Sequence, residues 1–191
     1  MPRPRSDDKR AAITSAATRV IAAQGLGAAT ATIAKQAGVS NGSLFTYFDT
    51  KADLLNQLYL ELKTEMGTAA LGGLPAGGDV REQLLHMWSR WLRWATAYPE
   101  KRRALAQLDV SDEVTASTHR AASQSLIGIA GILERSRENG PMRDAPLAFV
   151  LALANALADA LSPLGIEIDE LPVTPERLFR LIKAAGRKAK T

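Results

Sequence analysis

Cysteine is absent from the 191 residues. That excludes disulfides, thiolate metal ligands and a thiol nucleophile, and it suits a reducing compartment. Histidine is scarce, and His86 and His119 stand too far apart to make a metal-ligand spacing. There is no phosphate-cradling loop, no paired-histidine motif and no Ser-His-carboxylate set that local sequence brings together. The chain is therefore not expected to be an enzyme, nor to need a cofactor or metal. No charged-then-apolar leader opens the sequence. The longest apolar run, residues 147–161, is too short to span a bilayer and contains Asn155 and Asp159. A cytoplasmic protein with no membrane partner is the expectation. Strand-like alternation, internal repeats and low-complexity tracts are also missing, which leaves an all-α architecture.

What is present supports a folded, basic protein. Hydrophobic residues make up 46% of the chain, ample for a core, and the net charge is +4. A basic balance suits a polyanionic partner without demanding one. Arg3, Arg5, Lys9 and Arg10 form a basic arm at the N-terminus, read equally as a solvated tail or as a contact to phosphate or the minor groove.

The most informative stretch is residues 30–51, TATIAKQAGVSNGSLFTYFDTK. Ile33, Ala34 and Ala37 share a helical face before Gly38, and Leu44, Phe45 and Phe48 share one after it. Gly38 can take positive φ and end the first helix, and Ser40 can cap the second. So short a connection implies a helix-turn-helix. An outer row of Asn41, Ser43, Thr46 and Tyr47 can hydrogen-bond bases or phosphates, while Gly42 lets the backbone come close. An earlier helix from Ser6 to Gly25, with Ile13, Ala16, Ala17, Val20 and Ile21 on one face, completes a three-helix unit. Thr50-Lys51-Ala52-Asp53 matches a capping box and opens a fourth helix, with Leu54, Leu55, Leu58 and Leu62 as its core face, running to about Met66. Lys51 at its start can reach a phosphate.

The run IAKQAGVSNGSLFTYFDTKADLL resembles the TetR-family signature I-A-x-x-A-G-V-S-x-G-x-L-Y-x-x-F-x-x-K-x-x-L, over roughly residues 10–58. The resemblance implies a helix-turn-helix DNA-binding domain, residues 1–50, and a larger ligand-binding and dimerisation bundle, residues 51–191. It implies a transcriptional regulator, acting as a repressor, whose homodimer holds a palindromic operator in double-stranded DNA and is released by a small-molecule effector. Two departures bear on the site. Ala28 and Ala29 occupy part of the stretch where the family has adjacent Thr or Ser, so Thr30 or Thr32 must supply the cap and the phosphate hydroxyl. Phe45 stands where Tyr is usual, and Thr46-Tyr47 where His often appears, so a phosphate contact is lost or passes to Tyr47. The expected DNA-binding residues are Thr30, Thr32, Ser40, Asn41, Gly42, Ser43, Thr46, Tyr47 and Lys51.

Beyond a glycine-rich loop over 67–79, helices resume at Val80. Trp88, Trp91 and Trp94, all the tryptophans of the chain, crowd one side of the segment ending at Pro99. They read either as core or as the wall of an effector pocket. A short helix over 100–109 precedes a long one capped by Ser111 and stopped near Gly140, with His119 as a surface residue. A helix apolar almost all round, 147–161, needs partners on every side, and a second copy of the chain is one candidate. Asn155 and Asp159 share one face of it, either pairing across a dimer or orienting a ligand. Residues 178–185 give the final amphipathic helix. Two other functions fit the same pattern: a helical adaptor that binds protein, and a DNA-binding protein that needs no effector.

Overall fold

The computed structural model describes residues 5–138 and 143–146, together with residues 149, 152, 155, 156, 160 and 180. The described residues form eight helices: α1 (Arg5–Gln24), α2 (Thr30–Ala37), α3 (Asn41–Tyr47), α4 (Lys51–Leu71), α5 (Val80–Ala97), α6 (Pro99–Asp109), α7 (Ala116–Ser125) and α8 (Ile127–Arg137). Packing divides the chain into two compact units. One joins Met1–Glu65 to Pro99–Ser125, and the other joins Met66–Tyr98 to Leu126–Thr191.

The first unit is built around α1, which packs against both α2 and α6. Its buried residues, Ile13, Thr14, Ala16, Ala17, Thr18, Val20 and Ile21, cover too wide a sector for one partner. The two threonines are admitted because each hydroxyl is satisfied within the helix, Thr14 Oγ1 donating to the Ala11 carbonyl (3.2 Å) and Thr18 Oγ1 to the Thr14 carbonyl (2.9 Å). On the α6 side, Ala104, Leu105 and Leu108 are buried. Gln107 Nε2 donates to the Ile21 carbonyl at 3.0 Å, which also accepts from the Gly25 amide at 2.9 Å. Lys9 and Arg10 belong to α1 and not to a free arm. The Arg10 guanidinium bonds Glu61 at 2.8 Å and also Gln57, and lies over the Phe48 ring, 5.3 Å from its centroid.

α4 starts as the sequence predicts, with the Asp53 amide donating to Thr50 Oγ1 at 3.0 Å. The return bond goes to the Asp49 amide (3.2 Å to Asp53 Oδ2) and not to Thr50. Leu54, Leu55, Leu58 and Leu62 are all buried. The expected stop near Met66 is passed. Gly67 is buried and the helix continues to Leu71, because Ala70 enters the core of the second unit.

A larger difference follows Ser111, where the sequence predicts one long helix that stops near Gly140. Residues 111–115 are a turn, in which Ser111 Oγ accepts from the Glu113 amide at 3.2 Å. The acidic pair after Ser111 therefore decorates a turn rather than a first helical turn. Asn56 of α4 takes up this segment: its amide nitrogen donates to the Glu113 carbonyl (2.7 Å), and its oxygen accepts from the Thr115 amide (2.9 Å) and the Thr118 hydroxyl (2.6 Å). α7 begins only at Ala116, with Thr115 Oγ1 accepting from the Thr118 amide. The helix is interrupted at Leu126 (φ −105°, ψ 6°). Just before the break, Ser123 and Ser125 donate their hydroxyls back to the carbonyls of His119 and Ala122, a bonding pattern that bends helices.

In the second unit, a reciprocal capping box between Asp79 and Glu82 opens α5 (2.8 and 3.2 Å). α5 packs on α8 around a core of Ala70, Met87 and Ile132, bordered by Leu71, Leu74, Leu84, Trp91, Ile129 and Leu133. His86 Nε2 bonds the Gly72 carbonyl at 2.9 Å, fixing the turn after α4. The helices read in the sequence at 147–161 and 178–185 lie outside the described residues, except that Phe149, Ala152, Asn155, Ala156, Ala160 and Arg180 are helical and exposed. Asp159 lies outside them.

Candidate nucleic-acid interface and effector region

The turn between α2 and α3 has the geometry its residues demand. Gly38 is left-handed (φ 70°, ψ 28°), its amide donates to the Lys35 carbonyl (3.2 Å) and the Val39 amide to the Ala34 carbonyl (3.0 Å). These bonds satisfy carbonyls left open at the end of α2. Ser40 then caps α3, its Oγ accepting from the Ser43 amide at 3.0 Å.

α3 presents a different outer row from the one predicted. Leu44 and Phe48 are buried, at 0% and 1% exposure, but Phe45 is 39% exposed. With about 100° between successive residues, Phe45 stands about 40° from Asn41 and about 100° from Leu44, and Phe48, the C-cap, has already left the helix (φ −140°, ψ 114°). The exposed residues of α3 are Asn41, Gly42, Phe45 and Thr46, while Ser43 and Tyr47 are half-buried on its flank. Thr46 Oγ1 donates to the Gly42 carbonyl at 3.3 Å. Among the described residues a Cβ at Gly42 would meet only Ser40 Oγ, at 3.9 Å, so none of them requires a glycine there.

The expectation that Thr30 or Thr32 caps α2 is not met. The capping position is Ala29, and no side chain accepts from the first turn. Thr30 and Thr32 are the first and third residues of the helix, both half-buried. An alanine side chain cannot bond the first amides; the Ala29 carbonyl accepts from the Thr32 amide at 3.0 Å, and the amides of Thr30 and Ala31 are left to whatever lies outside the helix. Lys51 is half-buried, and its ammonium donates to the Leu26 carbonyl at 2.6 Å, tying the loop before α2 to the start of α4.

Of the three tryptophans, two come together. The rings of Trp88 and Trp91 are 5.1 Å apart at 41°, with Trp91 against the Met87–Ile132 core. Trp94 is buried and faces Tyr98 at 6.4 Å instead. The Trp88 indole N–H is buried and has no acceptor among the described residues. Buried donors are nearly always paired, so a group outside the described residues is expected to meet this one.

One constellation escaped the sequence reading. Tyr59 is 3% exposed, and its hydroxyl donates to Asp109 Oδ1 at 2.9 Å and lies 3.0 Å from His119 Nδ1. The Tyr59 and His119 rings meet edge to face at 4.9 Å, and Lys63 bonds the same Asp109 carboxylate at 2.8 Å. Burial pushes the Tyr59 pKa well above the ordinary phenol value, helped by the hydrogen bond to Asp109 and by its charge, so the ring stays neutral. His119, expected on the surface, is thus half-buried and links α7 to α4. The one available signal was Tyr59 itself, in line with the leucines of α4, because a buried phenol needs a partner.

Among the described residues no group of three His, Cys, Asp or Glu could hold a metal ion, and no helix is long and apolar enough to cross a membrane.

Residues 13–58 match the family of bacterial regulatory proteins, tetR family. Similar folds occur in a putative tetR family transcription regulator from Shewanella sp. PV-4 (27% identity, 84% of this chain and 98% of that one, TM-score 0.62). A TetR family transcription regulator from Marinobacter aquaeolei VT8 is also similar (23% identity, 96% and 98%, TM-score 0.75). A third is the TetR-like transcriptional regulator LfrR from Mycobacterium smegmatis in complex with proflavine (20% identity, 96% and 96%, TM-score 0.62).

Proposed function

We propose that this chain, whose residues 13–58 belong to the tetR family, is a repressor that binds a palindromic operator as a homodimer and releases it when a small molecule binds the bundle. The observation that carries the reading is the outward row of α3, Asn41, Gly42, Phe45 and Thr46, set on a capped helix by a tight glycine turn. Asn41 supplies the amide that pairs with adenine edges, and Gly42 leaves room for close approach. The first amides of α2 have no side-chain cap. A phosphate satisfies such groups, with the hydroxyls of Thr30 and Thr32 beside it. Ser40, Ser43 and Tyr47 flank the row and serve the backbone in the same way. Lys51 holds the loop to α4, and the protons not given to Leu26 are free to meet a phosphate. In this division of labour, residues 1–50 read DNA, and residues 51–191 dimerise and sense.

One α3 spans too few base pairs to be selective, so two should enter successive major grooves about 34–36 Å apart. The second copy is proposed to dock on residues 147–161 and 178–185. In support, Phe149, Ala152, Ala156 and Ala160 are exposed and fall on one helical face. The effector is proposed to lie against Trp88 and Trp91, offering an acceptor to the Trp88 indole. To release DNA it must prefer the arrangement that does not bind, with a coupling of about 1–3 kcal/mol on the usual scale. Proflavine, bound by the M. smegmatis relative, is a first compound to try by tryptophan quenching followed by operator binding.

The primary test is selection of bound sites from random duplexes, with sedimentation of the protein alone and on the selected site. A dimer on a near-palindrome is expected, and a monomer in both states would end the reading. Lys51→Ala should weaken binding to every duplex alike and lower the slope of log K against log salt by about one. A changed base preference with an unchanged slope would remove Lys51 from the phosphate role.

A further inference from the structure

We infer that Phe45 reads the 5-methyl group of a thymine, making it a specificity-determining residue of the recognition helix. The inference rests on the DNA-reading function proposed above. An exposed phenyl ring on a helix of seven residues needs explanation, because Leu44 within the helix and Phe48 at its C-cap are both buried. Phe45 makes no ring or cation contact among the described residues. It has no hydrogen-bonding group, so it cannot serve a phosphate oxygen or a base amide. Its neighbours on the exposed side are Asn41, one turn earlier, and Gly42 and Thr46. Of the groups that the base pairs set out along the major groove, the thymine methyl is the apolar one, and a phenyl ring fits it.

The spacing sharpens the expectation. Four residues of helix rise about 6 Å, or roughly two steps of 3.4 Å along a DNA strand. With Asn41 paired to an adenine, Phe45 reaches a thymine within one or two base pairs of it. The half-site should therefore contain an A·T-rich core in which one thymine acts through its methyl alone.

The test uses the full-length protein and a duplex obtained by selection. Each thymine of the half-site is replaced in turn by deoxyuridine, which keeps every hydrogen-bonding group and removes only the methyl. For the unmodified protein, one position should weaken binding about fourfold, the effect of one buried methyl group. Replacement in both half-sites should weaken it about fifteenfold. In Phe45→Ala the same replacement should change affinity by less than a factor of about 1.5, with the salt slope unaltered, since no phosphate contact is lost. Phe45→Leu, which keeps an apolar side chain, should retain a clear preference for thymine, and circular dichroism of both variants guards against misfolding. If Phe45→Ala is as sensitive to uracil as the parent, or if no uracil weakens the parent, Phe45 does not read the methyl. Failure to select any duplex would instead remove the DNA-reading function itself, and this inference with it.

Discussion

Phe48→Ala is expected to cost the first unit about 3–5 kcal/mol, the usual range for removing a buried phenyl ring. Phe48 is 1% exposed and closes α3, its amide donating to the Leu44 carbonyl at 3.1 Å. The Arg10 guanidinium lies over its ring and also pairs with Glu61, so truncation loosens the attachment of α1 to α4 as well. The loss compares with the whole net stability of an ordinary domain, about 5–15 kcal/mol. It can be read separately from the rest of the molecule, because Trp88, Trp91 and Trp94 all lie in the second unit. In a urea titration, far-UV ellipticity should show an early transition in the variant, while tryptophan emission keeps its midpoint. Equal shifts in both signals would mean that the two units unfold as one. No shift in either would contradict the burial of Phe48.

A fragment ending at Glu65 is expected not to fold, although it contains the whole helix-turn-helix. It lacks α6, and with it Ala104, Leu105 and Leu108, which are buried in the first unit where α6 packs on α1. The burial of two leucines and an alanine, worth about 4–7 kcal/mol, is lost, and the side of α1 that α6 covers is left in water. Isolated helices of this length are marginal in water. Amide exchange of the fragment should be close to that of an unfolded chain, whereas a chain carried on to Ser125 should protect α1. A protected α1 in the shorter fragment would show that α2, α3 and the start of α4 suffice.

The partnership of α1 with α6 also marks the limit of what the sequence discloses. Capping letters announce their helices directly: Ser40 and Thr50 each accept from the amide three residues on, and Gly38 is left-handed as its place requires. A second buried face on α1 was hidden because Thr14 and Thr18 read as polar, although both hydroxyls turn back onto the helix. The chemistry of Phe45 points inward, but its position on a short helix places it with Asn41. Ser111 with two acids after it looks like a helix start, but Asn56, more than fifty residues earlier, captures that segment in a turn. His119 meets Tyr59 across a similar separation. Local pattern fixes starts, stops and the faces of regular helices. Which distant side chain claims a polar group depends on tertiary packing, and only Tyr59, among the leucines of α4, hinted at such a claim.

The division of the chain into interleaved units has a consequence for its biosynthesis. The first unit opens at the N-terminus, pauses at Glu65, resumes at Pro99 and closes at Ser125. On a ribosome, α1 and α2 emerge well before α6 and α7. At about 5–20 residues per second, the apolar side of α1 waits some 5–20 s for its partner. Through that interval Ile13, Val20 and Ile21 depend on α2 alone or on a chaperone for cover. Nascent chains stalled just before Pro99 should therefore be the ones that chaperones hold most firmly, and chains stalled with α7 fully emerged should be released.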